Sequence, residues 1–333
     1  MQSVLVIKLG AIGDVLRTSY LINAFNRKQN YHITWVTSSE SAAILANNPY
    51  INDILIHNKH ELPLCTDILI CLEDMREFVA LGSGITANTI IGSYINENGK
   101  LEYTDDTAEW YDMGIISRYG IERANILKKE NRKSFNEIFS KSLSINIDDI
   151  QPRIFFKETH KNTSSNDDTL RIGLNLFAGS RWPSKQLSED DAKKLIDSML
   201  EHLKTKELNY SLLLSCDDST IEKANNIAKG KDMVVVNTND SISDFSNHIS
   251  GCDLFITTDS LGMHLAIANH VRHLAFFNPT SAIEIDNYNH GVKVISKSLD
   301  YCSYKPNAEY DKTLWKNIYN QWITEVEKFI LEN

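Results

Sequence analysis

Three short stretches of the chain carry residue types that can do chemistry. The first is Lys8-Leu9-Gly10-Ala11-Ile12-Gly13-Asp14, directly after the apolar run Val4 to Ile7. The residues that follow place Val15, Leu16, Leu21, Ile22 and Phe25 on one helical face, so Asp14 falls in the first turn of a helix. A carboxylate there can serve as a general base, or it can merely cap the helix and complement its dipole; spacing does not choose between these. The glycines do not follow G-x-G-x-x-G and no G-x-x-x-x-G-K occurs, so neither a dinucleotide fingerprint nor a P-loop is indicated.

The second stretch is Gly179-Ser180-Arg181-Trp182-Pro183-Ser184-Lys185-Gln186-Leu187. Ser180, Ser184 and Lys185 could surround an anion, with Lys185 as the point charge that a leaving phosphate needs. A lysine in a polar loop is more often only solvated. The third stretch is Thr257-Thr258-Asp259-Ser260-Leu261-Gly262-Met263-His264, between an apolar strand pattern and an apolar helix pattern. Asp259 and Ser260 are capping types, and the amides at such a helix start suit a diphosphate. His264 by itself is more often a structural histidine than a ligand group. Asn278-Pro279-Thr280-Ser281 closes the next strand and would line the same crevice.

The elements that must position these stretches alternate in the manner of βαβ units. After Val4 to Ile7 and the first helix come the strand ITWVT from Ile33 to Thr37, a short Ala-rich helix around Ser41 to Ala46, the strand INDILI, and the strand DILICL from Asp67 to Leu72. The near-continuous apolar character of the last suits a sheet covered on both faces. A polar, aperiodic segment, THKNTSSNDDT from Thr159 to Thr169, has the composition of an exposed connection. The pattern then restarts. Strands RIGLNL, YSLLLS, MVVV, DLFITT and HLAFFN alternate with helices near Ser188 to Leu203, Thr220 to Ala228, Ile242 to Ile249 and Ser260 to Ala268. Toward the end, Leu314, Ile318, Trp322, Val326, Phe329 and Ile330 line one side of a helix that should pack. The expected architecture is α/β, with two doubly wound Rossmann-like lobes at 1–160 and 169–310, and a terminal helix at 311–333 packing back on the body.

The totals narrow the function classes. With 333 residues, 42% hydrophobic and 23% charged, the chain has globular proportions. Its formal net charge of -10 argues against a general nucleic-acid binder, which needs clustered Lys and Arg to neutralise phosphates. The N-terminus reads directly as a strand, and no apolar run reaches the roughly 20 residues of a transmembrane helix, so a cytoplasmic protein is expected. The five cysteines, Cys65, Cys71, Cys216, Cys252 and Cys302, are scattered and suggest neither a disulfide framework nor a zinc site.

The blocks VLVIKLGAIGDVLRTSYL, ITWVTSSESAAILANNPYINDIL, GSRWPSKQLS and TTDSLGMHLAIANHVRHLAFFNPTSAIEI together resemble glycosyltransferase family 9, the ADP-heptose lipopolysaccharide heptosyltransferases and their relatives. Their order and spacing match across nearly the whole chain, most weakly in the middle of the N-terminal lobe. The resemblance implies a GT-B fold, whose two Rossmann-like lobes face a central cleft, and inverting sugar transfer without a metal or a resident cofactor. The donor would be a nucleoside-diphosphate sugar, ADP-linked in type. The acceptor would be a lipopolysaccharide or another glycan or glycoconjugate, and a lipid-linked acceptor would bring the protein to the inner membrane surface.

The resemblance also assigns residues. Asp14 matches the family's proposed general base, and Gly10, Ala11 and Arg17 fall beside it in the acceptor region. Lys185 matches the lysine that holds the donor phosphates, with Ser180 and Gly13 as further donor positions. Asp259, Ser260, Leu261, Gly262, Met263 and His264 fall on the family's Asp-Thr-Gly-x-x-His element around the nucleotide. The family's acidic residue after the middle strand of the C-terminal lobe falls at Asp217 or Asp218, and Asp218 is the donor-binding candidate. Here Ser260-Leu261 replaces Thr-Gly, with glycine displaced to 262. IIGSYI at Ile90 to Ile95 has no arginine before its glycine, where lipopolysaccharide-directed members often carry one. Two other readings remain on the same scaffold: a nucleotide-sugar 2-epimerase, which needs no acceptor, and a non-catalytic nucleotide-binding relative.

Overall fold

The apolar runs that begin at Val4 and Ile68 become adjacent central strands, because only a site between two covering layers removes both faces of such a strand from water. The computed structural model describes residues 1–156, 169–179, 182–239, 241–305 and 307–332. Most of the polar connection expected between Thr159 and Thr169 lies outside these residues. The chain divides into two compact units, Met1–Lys157 with Ile283–Asp286, and Glu158–Ala282 with Asn287–Asn333.

The first unit contains β1 (Ser3–Ile7), α1 (Ile12–Gln29), β2 (His32–Thr37), α2 (Ser39–Leu45), β3 (Asp53–Ile56) and β4 (Cys65–Cys71). It continues through α3 (Arg76–Val79), β5 (Thr86–Ile95), β6 (Leu101–Tyr103), α4 (Ala108–Tyr111), α5 (Ile121–Glu130) and α6 (Phe135–Ser142). Its sheet has the order β3-β2-β1-β4-β5-β6, parallel except for the antiparallel β5–β6 pair. Local chemistry ends α1: Asn30 takes the left-handed conformation and its N–H donates to the Asn26 carbonyl at 2.7 Å. At α6, a capping box joins Ser134 and Glu137, whose carboxylate accepts from the Ser134 N–H at 2.6 Å. Gly92 in β5 has φ of +102°, and a Cβ there would overlap the Cys71 carbonyl, so the glycine of IIGSYI is required by the backbone.

The second unit contains β7 (Leu170–Asn175), α7 (Glu189–Thr205), β8 (Tyr210–Cys216), α8 (Ile221–Ala228), β9 (Val234–Asn237) and α9 (Ile242–Ser250). It is completed by β10 (Leu254–Thr258), α10 (Leu261–Ala268), β11 (His273–Phe277), β12 (Gly291–Ile295) and α11 (Leu314–Glu332). The six strands run in the order β12-β11-β10-β7-β8-β9, all parallel. Leu314, Ile318, Trp322 and Val326 of α11 recur every four residues and join the same core as Leu195, Ile196 and Met199 of α7. Ile330, expected on that face, is instead exposed. Strand β12 escaped the sequence reading because GVKVI is short and half-exposed with Lys293 at its centre. Among the described residues, no helix is long and apolar enough to cross a membrane.

His273 pairs with Gly291 across β11 and β12, and a Cβ on Gly291 would overlap its ring. Burial lowers the His273 imidazole to about 4, despite the hydrogen bond from Nδ1 to the Val271 carbonyl at 2.9 Å. The unfolded ring titrates near 6.5, so its stabilising contribution is complete above that pH and is lost as the pH falls toward 4. Thermal unfolding across this window is expected to show a loss of about 3 kcal/mol from this residue, and His273→Leu to flatten that part of the profile. An unchanged profile in the variant would assign the pH dependence to other groups.

Candidate active site

In the first unit the strand order reverses between β1 and β4, which opens a crevice at their carboxyl ends. The loop after β1 is tied down there on several sides. The Lys8 N–H donates to the Val36 carbonyl at 3.2 Å, and Trp35 Nε1 donates to the Lys8 carbonyl at 3.1 Å. Ser41 Oγ donates to the Leu9 carbonyl at 3.0 Å, and the Leu9 N–H donates to Glu73 Oε1 at 2.5 Å. Glu73, only 3% exposed, also pairs with Lys8 Nζ at 3.4 Å. Burial pushes its carboxyl up, and Lys8 with the Leu9 N–H pulls against that. Sequence reading missed Glu73. Its signal is an acidic residue ending a run as apolar as DILICL, at the strand adjacent to β1.

Asp14 does not cap α1: the N-cap is Ala11, and Asp14 lies two residues into the helix. Its Oδ1 pairs with Arg17 one turn on at 2.8 Å, and the side chain is 36% exposed. The Arg17 guanidinium lies 4.3 Å from the Phe135 ring centre and 5.5 Å from that of Trp110, so α4 and α6 fix it in place. These groups line a pocket of about 90 Å³ whose walls include Lys8, Asp14, Arg17, Thr18, Asp74 and Trp110. Gly10 borders open space, where an added Cβ would meet nothing within 4 Å. Ala11 precedes the helix and Gly13 is buried in its first turn.

The second sheet reverses its order between β7 and β10, and here Lys185 and Asp259 meet. Lys185 Nζ donates to Asp259 Oδ2 at 2.8 Å and to the Asp259 carbonyl at 3.1 Å. Both side chains are largely buried, at 17% and 13% exposure. Burial alone would raise the Asp259 carboxyl; the Lys185 ammonium, helped by His264, outweighs it and holds the carboxyl below its usual range. The lysine loop is anchored from below, since Thr258 Oγ1 donates to the Lys185 carbonyl at 2.5 Å and Asn278 Nδ2 to the Ser184 carbonyl at 3.0 Å. The solvated-lysine reading is thereby excluded.

Ser260, not Asp259, is the N-cap of α10, and its Oγ accepts from Asn175 Nδ2 at 3.1 Å instead of capping the helix. The displaced glycine has a packing reason: a Cβ on Gly262 would press on Asn175 Nδ2. The first-turn amides of Leu261 and Gly262 have no helical carbonyl one turn earlier to bind. The Met263 N–H donates to the Ser260 carbonyl at 3.1 Å, and the Met263 and His264 side chains are buried. Ser180 lies outside the described residues. After β8, Asp217 is occupied by its own turn, accepting from Ser219 Oγ and Thr220 Oγ1, both at 2.7 Å. Asp218 is held by Asn237 Nδ2 at 2.8 Å and Asn239 Nδ2 at 2.5 Å, and stays exposed. Among the described residues no group of three or more His, Cys, Asp or Glu side chains is arranged to hold a metal ion.

No curated protein sequence matches the chain significantly. Solved structures do match in fold. A glycosyl transferase family 9 protein from Veillonella parvula DSM 2008 is 17% identical, with 100% of this chain and 98% of that one covered at a TM-score of 0.69. The E. coli ADP-heptose lps heptosyltransferase II is 13% identical, with 98% and 99% covered at 0.59. The E. coli heptosyltransferase WaaC, solved with ADP-2-deoxy-2-fluoro heptose, is 15% identical, with 97% and 99% covered at 0.57. The family model described as glycosyltransferase family 9 (heptosyltransferase) matches residues 129–314, a stretch that includes Lys185, Asp259 and His264 and begins after the Asp14 loop. With more than half its length matched and two parallel α/β units of the GT-B type, the chain belongs to glycosyltransferase family 9.

Proposed function

We propose that this glycosyltransferase moves a sugar, of the heptose type on an ADP-linked donor, to a hydroxyl of a lipopolysaccharide or another bacterial glycan or glycoconjugate. The reaction inverts the anomeric centre, requires no metal and takes place in the cytoplasm; a lipid-linked acceptor would bring it to the inner membrane surface. The observation that carries the reading is the Asp14 carboxylate, exposed on the wall of a pocket at the switch point of the first sheet. An acceptor hydroxyl beside it attacks the anomeric carbon as the bond to the diphosphate breaks. Asp14 takes the hydroxyl proton, and the nucleoside diphosphate leaves with the bonding pair.

The donor is assigned to the second unit. Lys185 Nζ has three donors, of which two serve Asp259, leaving the third for a phosphate oxygen. The amides of Leu261 and Gly262 would add the partial positive charge of a helix start. These groups stabilise charge that grows as the diphosphate leaves, which is the condition for speeding the step. Asp218 is exposed at the end of β8, where it can meet the donor's ribose or sugar hydroxyls.

Incubation of the protein with an ADP-linked heptose, with and without an acceptor panel, tests the reading. Donor should be consumed only when an acceptor is present, with the product's anomeric configuration inverted by NMR. Epimer formed from donor alone would establish the 2-epimerase reading. Tight nucleotide binding without turnover on any acceptor would establish the non-catalytic one.

A further inference from the structure

We infer that the pocket beside Asp14 takes an uncharged, hydroxyl-rich sugar edge and discriminates against carboxylated or phosphorylated ones. This rests on the sugar-transfer reading above and names the chemical class of its acceptor. The charges on the wall are already matched. Arg17 is held by Asp14 at 2.8 Å and Lys8 by Glu73 at 3.4 Å, while Asp74 adds a third carboxylate. An arriving anion would have to break one of these pairs or lie against Asp14 and Asp74. In a partly enclosed site, like charges at such range oppose binding strongly.

The unmatched groups on the same wall want something neutral. Thr18 is 0% exposed, and its hydroxyl has no hydrogen-bond partner among the described residues. The Arg17 Nε–H is also buried without one. A buried polar atom left in this way calls for an explanation, and the pocket that both residues line supplies one. A sugar hydroxyl both donates and accepts, so it can accept from Arg17 Nε or bond with Thr18 while donating to the Asp14 carboxylate. The pocket, of about 90 Å³, has room for the hydroxyls of a sugar edge. Trp110 and Phe135 supply apolar surface for the C–H groups of that edge.

Binding is read before turnover. Neutral methyl glycosides of gluco, galacto and manno configuration, each beside its uronic acid, are titrated into the full chain by ligand-observed NMR and tryptophan fluorescence. A Trp110→Phe variant assigns the fluorescence signal to this pocket. At least one neutral glycoside is expected to bind about tenfold more tightly than its uronic acid. Thr18→Val is expected to weaken that binding about fivefold with no loss of thermal stability, since an unpartnered buried hydroxyl contributes nothing to folding. Uronic acids that bind as tightly as their neutral partners, no binding by any glycoside, or an indifferent Thr18→Val would each overturn the inference. Neutral binding as expected, without transfer from any nucleotide-sugar donor, would count against the sugar-transfer reading alone.

Discussion

Asp14→Asn is expected to slow sugar transfer by about 10²–10⁴-fold, the usual contribution of a positioned general base. The substitution keeps the shape of the side chain and removes only its charge and its ability to take a proton. Folding should be little affected. The pair with Arg17 is partly exposed, and such i,i+3 pairs contribute about 0–1 kcal/mol, as does a carboxylate in the first turn of a helix. Donor affinity should stay within a few-fold of the parent, because the donor is assigned to Lys185 and α10. Single-turnover transfer rates set beside calorimetric donor binding would separate these quantities. Near-normal transfer by the variant would reduce Asp14 to a charge that complements the helix.

Lys185→Ala is expected to fail in two separable ways. As a phosphate ligand, the lysine's loss should lower transfer by about 100-fold and weaken donor binding at the same time. As the partner of Asp259, its loss leaves a carboxylate at 13% exposure with no ammonium beside it, a change that costs about 3–5 kcal/mol in comparable buried pairs. The sign of the pH dependence follows. In the parent, the lowered Asp259 pKa stabilises the fold above the ordinary carboxyl value of 3.8, and that contribution is lost as pH falls through the lowered value. In the variant, burial is opposed only by Thr280 and His264, and the carboxyl moves upward from its lowered value, so the stability deficit is largest at neutral pH and shrinks on acidification. Adding Asp259→Asn to Lys185→Ala should restore most of the melting temperature but none of the donor binding. If donor binding returned with stability, Lys185 would be a structural residue only.

The departures of this chain from its family's pattern have local physical causes. Gly262 stands one position late because Asn175 packs against it, and Gly92 is fixed by the carbonyl of Cys71. Neither glycine needs a ligand to explain it. Arginine is missing before Gly92, and the cations of the pocket come instead from Lys8 and Arg17, each already matched by a carboxylate.

Much of this protein was determined within short windows of sequence. The apolar runs of β1, β4, β7 and β10, the helical spacing of α1, α7 and α11, and the turn residues between them are local patterns, and each folded as its periodicity required. The three chemical stretches likewise lie at strand ends because the strands before them are legible. What only the tertiary structure decided depends on pairings between distant residues. Lys185 reaches Asp259 and Lys8 reaches Glu73 through strand order, and no window of sequence contains both partners. Asp217 and Asp218 are adjacent and chemically identical, yet one closes its own turn while the other is held by two asparagines, one at the end of β9 and one just after it. The wall of Trp110 and Phe135 around Arg17 comes from the part of the N-terminal lobe where the family resemblance is weakest, and its short helices are stabilised by what they pack against and not by their own propensity.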